Sequence, residues 1–162
     1  MWLPILTLLA ALGSGLMAGL FFAFSSFIMT ALAKLPAEQG IAAMNSINVT
    51  IINFSFMLAF FGTAAICVVL GVVSILRWSD AGSLALLAGS VLFLVGTIIV
   101  TMVFNVPLND ALAAVTAPAS AEGAGVWTTY LQDWLPWNHV RTVANFAALA
   151  AFIFAFAQQS QA

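Results

Sequence analysis

The run Asn138-His139-Val140-Arg141-Thr142-Val143-Ala144-Asn145 holds the chain's single histidine and one of its three basic side chains. On a helix, at about 100° per residue, Asn138, Arg141, Thr142 and Asn145 fall within an arc of about 100°, with His139 at its edge. A guanidinium keeps its charge and presents a fork of N–H donors, which suits an oxyanion or a carbonyl. Histidine titrates near neutrality and serves as a general base. The pair therefore predicts proton removal by His139 from an electron-rich substrate and stabilisation of the resulting anion by Arg141. A ligand-free reading also exists: His139 as a helix-start residue at the interface, and Arg141 snorkelling or paired with Asp110 or Asp133.

Other polar groups recur at spacings that aim them at the same place. Asn45 and Asn48 share a face with Ser55. Thr97, Thr101 and Asn105 recur at i, i+4 and i+8, with Asn109 one turn further. Together with Asn138 and Asn145 these asparagines are candidates to orient ligand oxygens, although Asn, Ser and Thr also join membrane helices by hydrogen bonds alone. Trp127, Tyr130, Trp134 and Trp137 recur at helical spacing. They read either as an interfacial aromatic belt or, for Trp134 and Trp137, as the roof of a cavity stacked on a flat aromatic ligand. One histidine and one cysteine fall short of the three or four ligands of a protein metal site, so no metal is expected.

The elements that carry these residues follow from composition. Of 162 residues, 64% are hydrophobic and 5% charged, against roughly 25% charged in a soluble domain. Residues 2–33, 39–76, 81–109 and 142–162 contain no charged side chain. Each run meets the ~20 residues that a helix needs to cross the hydrocarbon layer. The expected fold is all-α: an integral membrane four-helix transmembrane bundle with an interfacial helical cap on the loop side, in a single membrane domain. Spans are predicted at about residues 3–33, 50–76, 83–104 and 138–156, with an extension of the second from about 37 and an interfacial segment at about 127–137. The first span lacks a basic n-region and exceeds the usual ~7–15 apolar residues of a signal peptide, so it is expected to stay in the mature protein.

Lys34 and Pro36 end the first span. The stripe Gly15-x-x-x-Gly19-x-x-x-Ala23 within it predicts a close-packing seam. Three basic against five acidic side chains exclude a nucleic-acid surface, and a lone Cys67 excludes an intrachain disulfide. The expected partners are the lipid bilayer and a hydrophobic aromatic or amphiphilic small molecule. Up-down connectivity sets both termini on one side. Lys/Arg placement is nearly balanced, and the long acidic loop between the third and fourth spans favours the cytoplasmic side, in a bacterial cytoplasmic membrane.

Three stretches carry a resemblance: "GLMAGLFFAFSSFIMTAL", "FNVPLNDAL" and "WTTYLQDWLPWNHVRTVAN". The motifs Asn105-x-Pro107-x-Asn109 and Trp137-Asn138-His139-x-Arg141, with the tryptophans before them, resemble the DUF1772 or anthrone oxygenase-like family of small four-helix membrane proteins. The resemblance spans nearly the whole chain. It implies a relation to fungal proteins assigned the oxygenation of an anthrone to an anthraquinone. Oxidation of such a substrate by O2 as co-substrate needs no metal in principle, so no cofactor is expected. The resemblance brings no catalytic set, so the site residues are this sequence's own. The alternatives are a non-enzymatic protein that binds a lipid, quinone or other amphiphile, a purely structural polar cluster, and, with less support from four short helices lacking an inverted repeat, a transporter.

Overall fold

The computed structural model describes residues 2–161. Among them every regular element is helical: α1 Trp2–Leu32, α2 Ala37–Thr50, α3 Phe54–Leu76, α4 Ser83–Ala113 and α5 Ala121–Gln159. All but α2 are long and apolar enough to cross a membrane. Their side chains are sorted as a bilayer requires. Leu12, Leu16, Phe61, Val72, Val95 and Phe154 are exposed on the outside, while Thr7, Ser14, Ser74, Thr97, Asn138 and Asn145 are buried between helices. A water-soluble bundle sorts the other way. In lipid the outer apolar side chains are solvated, and the inner polar ones find partners on neighbouring helices. The chain is an integral membrane four-helix bundle.

Two cores are stacked along the bundle. Met17, Phe21, Phe60, Cys67, Leu70, Phe93 and Phe152 fill the membrane level. Met29, Ile41, Met44, Leu112, Trp127, Tyr130 and Trp134 fill a cap built from the ends of α1 and α4, from α2 and from the first turns of α5. Length explains the cap. The 23 residues of α3 reach about 34 Å, close to the ~30 Å hydrocarbon layer. The 39 residues of α5 reach about 58 Å, so its N-terminal half stands beyond the layer.

Local structure departs from the sequence expectation at three places, each with a physical cause. The segment 127–137 and the span 138–156 are one helix, opened by Ser120, whose hydroxyl accepts from the Gly123 amide at 3.0 Å. Pro136 removes one backbone donor without ending the helix. Asn138 is therefore mid-helix and caps nothing. Likewise α4 runs through Pro107 to Ala113, after π-helical turns at Leu94–Ile99 and Thr101–Asn105. Such turns shift the hydrogen-bond ladder by one residue and open room in it. Conversely, α2 and α3 are separate, because Asn53 takes an extended conformation and caps α3 by accepting from the Phe56 amide at 3.1 Å. The break resets the helical register, so Asn45 and Asn48 do not continue onto a face of α3.

The predicted glycine seam also moves. A Cβ at Gly19 would meet nothing within 4 Å, and one at Gly15 only ordinary contact with Leu149. Tight approaches occur instead at Gly13 against Thr63, Gly40 against Trp127, Gly89 against Phe152, and Gly96, where a Cβ would lie 2.3 Å from that of Ala144. The last clamps α4 to α5 beside the polar cluster.

Candidate functional site

A cavity of about 200 Å³ opens where the two cores meet. Its walls are apolar: Phe21 and Phe24 of α1, Met44 of α2, Phe56 and Phe60 of α3, and Met102 of α4. Phe56 and Phe60 are stacked, with centroids 5.4 Å apart. Ile52 at the α2–α3 break, Phe61 and Met102 line the cavity and are also exposed on the outer surface. The cavity thus borders the lipid-facing side of the bundle. Its polar lining consists of Asn48, Thr101, Asn109, Trp134 and Arg141.

Arg141 dominates the site electrostatically. It is 5% exposed, and the pairing with Asp110 or Asp133 considered from sequence does not form. Among the described residues the ion pair is Arg77–Asp80, near the opposite end of the bundle. Both Asp110 and Asp133 are exposed. The guanidinium is held by neutral groups: one Nη donates to Asn138 Oδ1 at 2.8 Å, the other to Thr101 Oγ1 at 3.2 Å. It lies 4.2 Å from the Phe21 ring centroid and 5.1 Å from that of Trp134. Cation–π contact offsets part of the desolvation cost, but a buried cation without an anion retains a deficit of several kcal/mol. Two hydrogen bonds use two of five guanidinium N–H donors, and Nε has no partner. The indole nitrogen of Trp134 and the amide nitrogen of Asn48, also on cavity-lining residues, are buried without partners. Among the cavity-lining residues the unpartnered buried atoms are donors, whereas Asn45, Asn105 and Asn145, outside the lining, each leave a buried Oδ1 without a partner.

The remaining predicted residues divide into those that reach the cavity and those that support it. Asn109 lines it and accepts from the Tyr130 hydroxyl at 2.8 Å. Asn138 and Asn145 lie behind the guanidinium. Asn138 donates to the Phe21 carbonyl and to Ser25 Oγ, each at 2.8 Å. Asn145 donates to Thr97 Oγ1 at 2.6 Å and to the Arg141 carbonyl at 2.7 Å. Asn105 is 1% exposed and donates to the Trp134 carbonyl at 3.3 Å, away from the cavity wall. Asn45 is partly buried in α2 and does not line the cavity. Trp134 does line it, while Trp137 stacks on Phe104 with centroids 3.5 Å apart, outside the lining.

His139 stands apart from these residues. It precedes Arg141 by two residues, about 200° around the helix. It is exposed and outside the cavity lining, with Nδ1 2.9 Å from Ser25 Oγ. Sequence spacing placed it at the edge of the polar stripe, and α1 packs into that edge. The sequence reading in turn left the walls unnamed, because phenylalanine and methionine at helical spacing look the same whether they face lipid, core or ligand. Thr101 stood among the polar residues without being singled out as a neighbour of the ligand. Among the described residues no group of three or more His, Cys, Asp or Glu could hold a metal ion.

No curated protein and no solved structure matches the chain. A family model described as anthrone oxygenase matches residues 54–151, from the first turn of α3 to past Asn145 in α5. The match contains Thr101, Asn109, Trp134, Asn138 and Arg141 and covers more than half of the chain, which belongs to the anthrone oxygenase family.

Proposed function

We propose that the protein oxidises an apolar phenolic or anthrone-type substrate with O2, and that the substrate lies in the cavity as an oxyanion facing Arg141. The observation that carries this reading is a buried guanidinium without a carboxylate partner beside an apolar cavity. The buried, unpartnered Trp134 and Asn48 donors support an oxygen-bearing ligand, and Phe56, Phe60 and Trp134 suit fused aromatic rings.

The chemistry balances without a further reactant. An anthrone that loses a proton from its central methylene carbon becomes an electron-rich enolate. Transfer of one electron to O2 and recombination of the two radicals forms a carbon–oxygen bond. Protonation then gives a hydroperoxide at that carbon. Loss of water leaves the second carbonyl, so anthrone and O2 become anthraquinone and water. Arg141 contributes by stabilising the enolate oxygen. At ~4 Å and an effective dielectric near 20 the attraction is about 4 kcal/mol, enough to lower the pKa of the bound substrate by about three. Asn48 and Asn109 orient the substrate, and the proton passes to water, since His139 stands outside. Entry from the lipid side past Ile52 and Met102 fits a substrate that partitions into the bilayer. The proposal includes a cytoplasmic membrane of bacterial type, with the termini inside.

The test is aerobic turnover of a hydroxyanthrone by protein purified in detergent, followed by O2 uptake and quinone absorbance above the spontaneous rate. Turnover that falls at least about 100-fold in Arg141→Ala supports the reading, and equal turnover overturns it. A second reading is a binding protein for an anionic amphiphile. The cavity lining favours it, because it contains no Asp, Glu, His, Lys or Cys to act as base or nucleophile. Tight binding of a hydroxyanthraquinone without anthrone turnover would select it.

A further inference from the structure

The groups behind Arg141 form a connected chain that leads out to the bundle surface. Arg141 donates to Asn138 Oδ1, Asn138 Nδ2 donates to Ser25 Oγ, and Ser25 Oγ lies 2.9 Å from His139 Nδ1. The direction of each proton can be deduced. The Phe21 carbonyl only accepts, so the Asn138 amide must turn its nitrogen towards it and its oxygen towards the guanidinium. A flipped amide would set acceptor against acceptor at Phe21 and donor against donor at Arg141. Thr142 uses its single hydroxyl proton on the Asn138 carbonyl at 2.9 Å. The 3.0 Å contact between Ser25 and Thr142 is therefore donated by Ser25. Ser25 then has no proton left for His139, so His139 donates through Nδ1–H. Ser25 accepts from Asn138 and His139, which fills the two lone pairs of a hydroxyl.

We propose that His139, Ser25 and Asn138 form a clamp that fixes the Arg141 guanidinium at the cavity, with His139 acting as a positioning residue through Nδ1–H. The inference rests on Arg141 being the ligand-binding group. It assigns His139 a role that differs from the base expected from sequence. An arginine side chain has many rotamers, and orienting it in advance spares that cost on binding. Ser25 lies in the π-helical turn Phe24–Ile28 of α1, so the clamp also ties α1 to α5 at the level of the cavity.

The two roles separate by which replacement restores function. Asparagine at position 139 can place an N–H where Nδ1–H stood but has no basic ring nitrogen. Binding of a hydroxyanthraquinone anion, read by tryptophan quenching, and hydroxyanthrone turnover are measured in His139→Ala, His139→Asn, Ser25→Ala and Arg141→Ala, each checked for an unchanged helical spectrum. The clamp predicts a Kd and KM about five- to tenfold higher in His139→Ala and Ser25→Ala, a kcat within about twofold, and recovery of most of the loss in His139→Asn. A kcat more than about tenfold below wild type in both His139→Ala and His139→Asn would overturn it in favour of a base. Wild-type binding in both His139→Ala and Ser25→Ala would also overturn it, and the Arg141 reading would stand if Arg141→Ala still lost binding. Wild-type binding in Arg141→Ala would instead remove the reading on which the clamp rests.

Discussion

Asn138 Oδ1 lies 2.8 Å from an Nη of Arg141, both residues are buried, and one helical turn of α5 separates them. A neutral amide thus occupies the place where a carboxylate would neutralise the guanidinium. Asparagine orients the charge without cancelling it, which leaves the field of Arg141 available to an anion in the cavity. Several expected outcomes follow from this arrangement.

Arg141→Lys should retain the charge but lose the fork that bonds Asn138 and Thr101 together. Titration with a hydroxyanthraquinone anion should show binding weaker than wild type by about tenfold and stronger than in Arg141→Ala. Equal losses in the two variants would show that geometry, not charge, is recognised.

Thr101→Asp should place a carboxylate beside the guanidinium, because Thr101 Oγ1 already lies 3.2 Å from it. The pair would cancel the local field. Affinity for the anionic probe should fall more than about tenfold, while a neutral quinone of the same shape should be affected less. A parallel titration of both ligands checks the difference.

Trp137 and Trp134 should differ in effect. Trp137 stacks on Phe104 outside the cavity, so Trp137→Ala should cost about 0.5–1.5 kcal/mol of stability from the lost aromatic pair, with probe affinity nearly unchanged. Trp134→Phe, which removes the unpartnered indole N–H of a lining residue, should weaken probe binding instead. Thermal unfolding in detergent and the same titration separate the two.

Gly96→Leu should disrupt the α4–α5 contact, where even a Cβ would lie 2.3 Å from that of Ala144. The neighbouring bond from Asn145 to Thr97 at 2.6 Å would have to give way. A destabilisation of about 1–3 kcal/mol is expected, read as a lowered Tm, with no such loss in Gly19→Leu, whose Cβ meets nothing within 4 Å.

The membrane bundle and its polar end were legible from residue order alone. Charge-free runs of spanning length specify transmembrane helices whatever their packing, because lipid offers backbone groups no other partner. The arc of Asn138, Arg141, Thr142 and Asn145 is likewise a property of helix geometry and survives unchanged. Element ends were less legible: spans were expected to end near 104 and to begin near 138, yet the helices run through Pro107 and Pro136, since one lost donor is tolerated in a long packed helix, whereas Asn53 caps α3.

Tertiary structure alone decided which way the polar groups work. His139 and Arg141 are two residues apart, and only the assembly of α1 and α4 around α5 shows that one is exposed beside Ser25 and the other buried at the cavity between Phe21 and Thr101. The missing counter-ion of Arg141, the orientation of the Asn138 amide and the phenylalanine walls of the cavity arise from contacts between residues far apart in the chain. Helical periodicity fixes the angle at which a side chain leaves its own axis, but the neighbour that it meets is set by how the helices assemble.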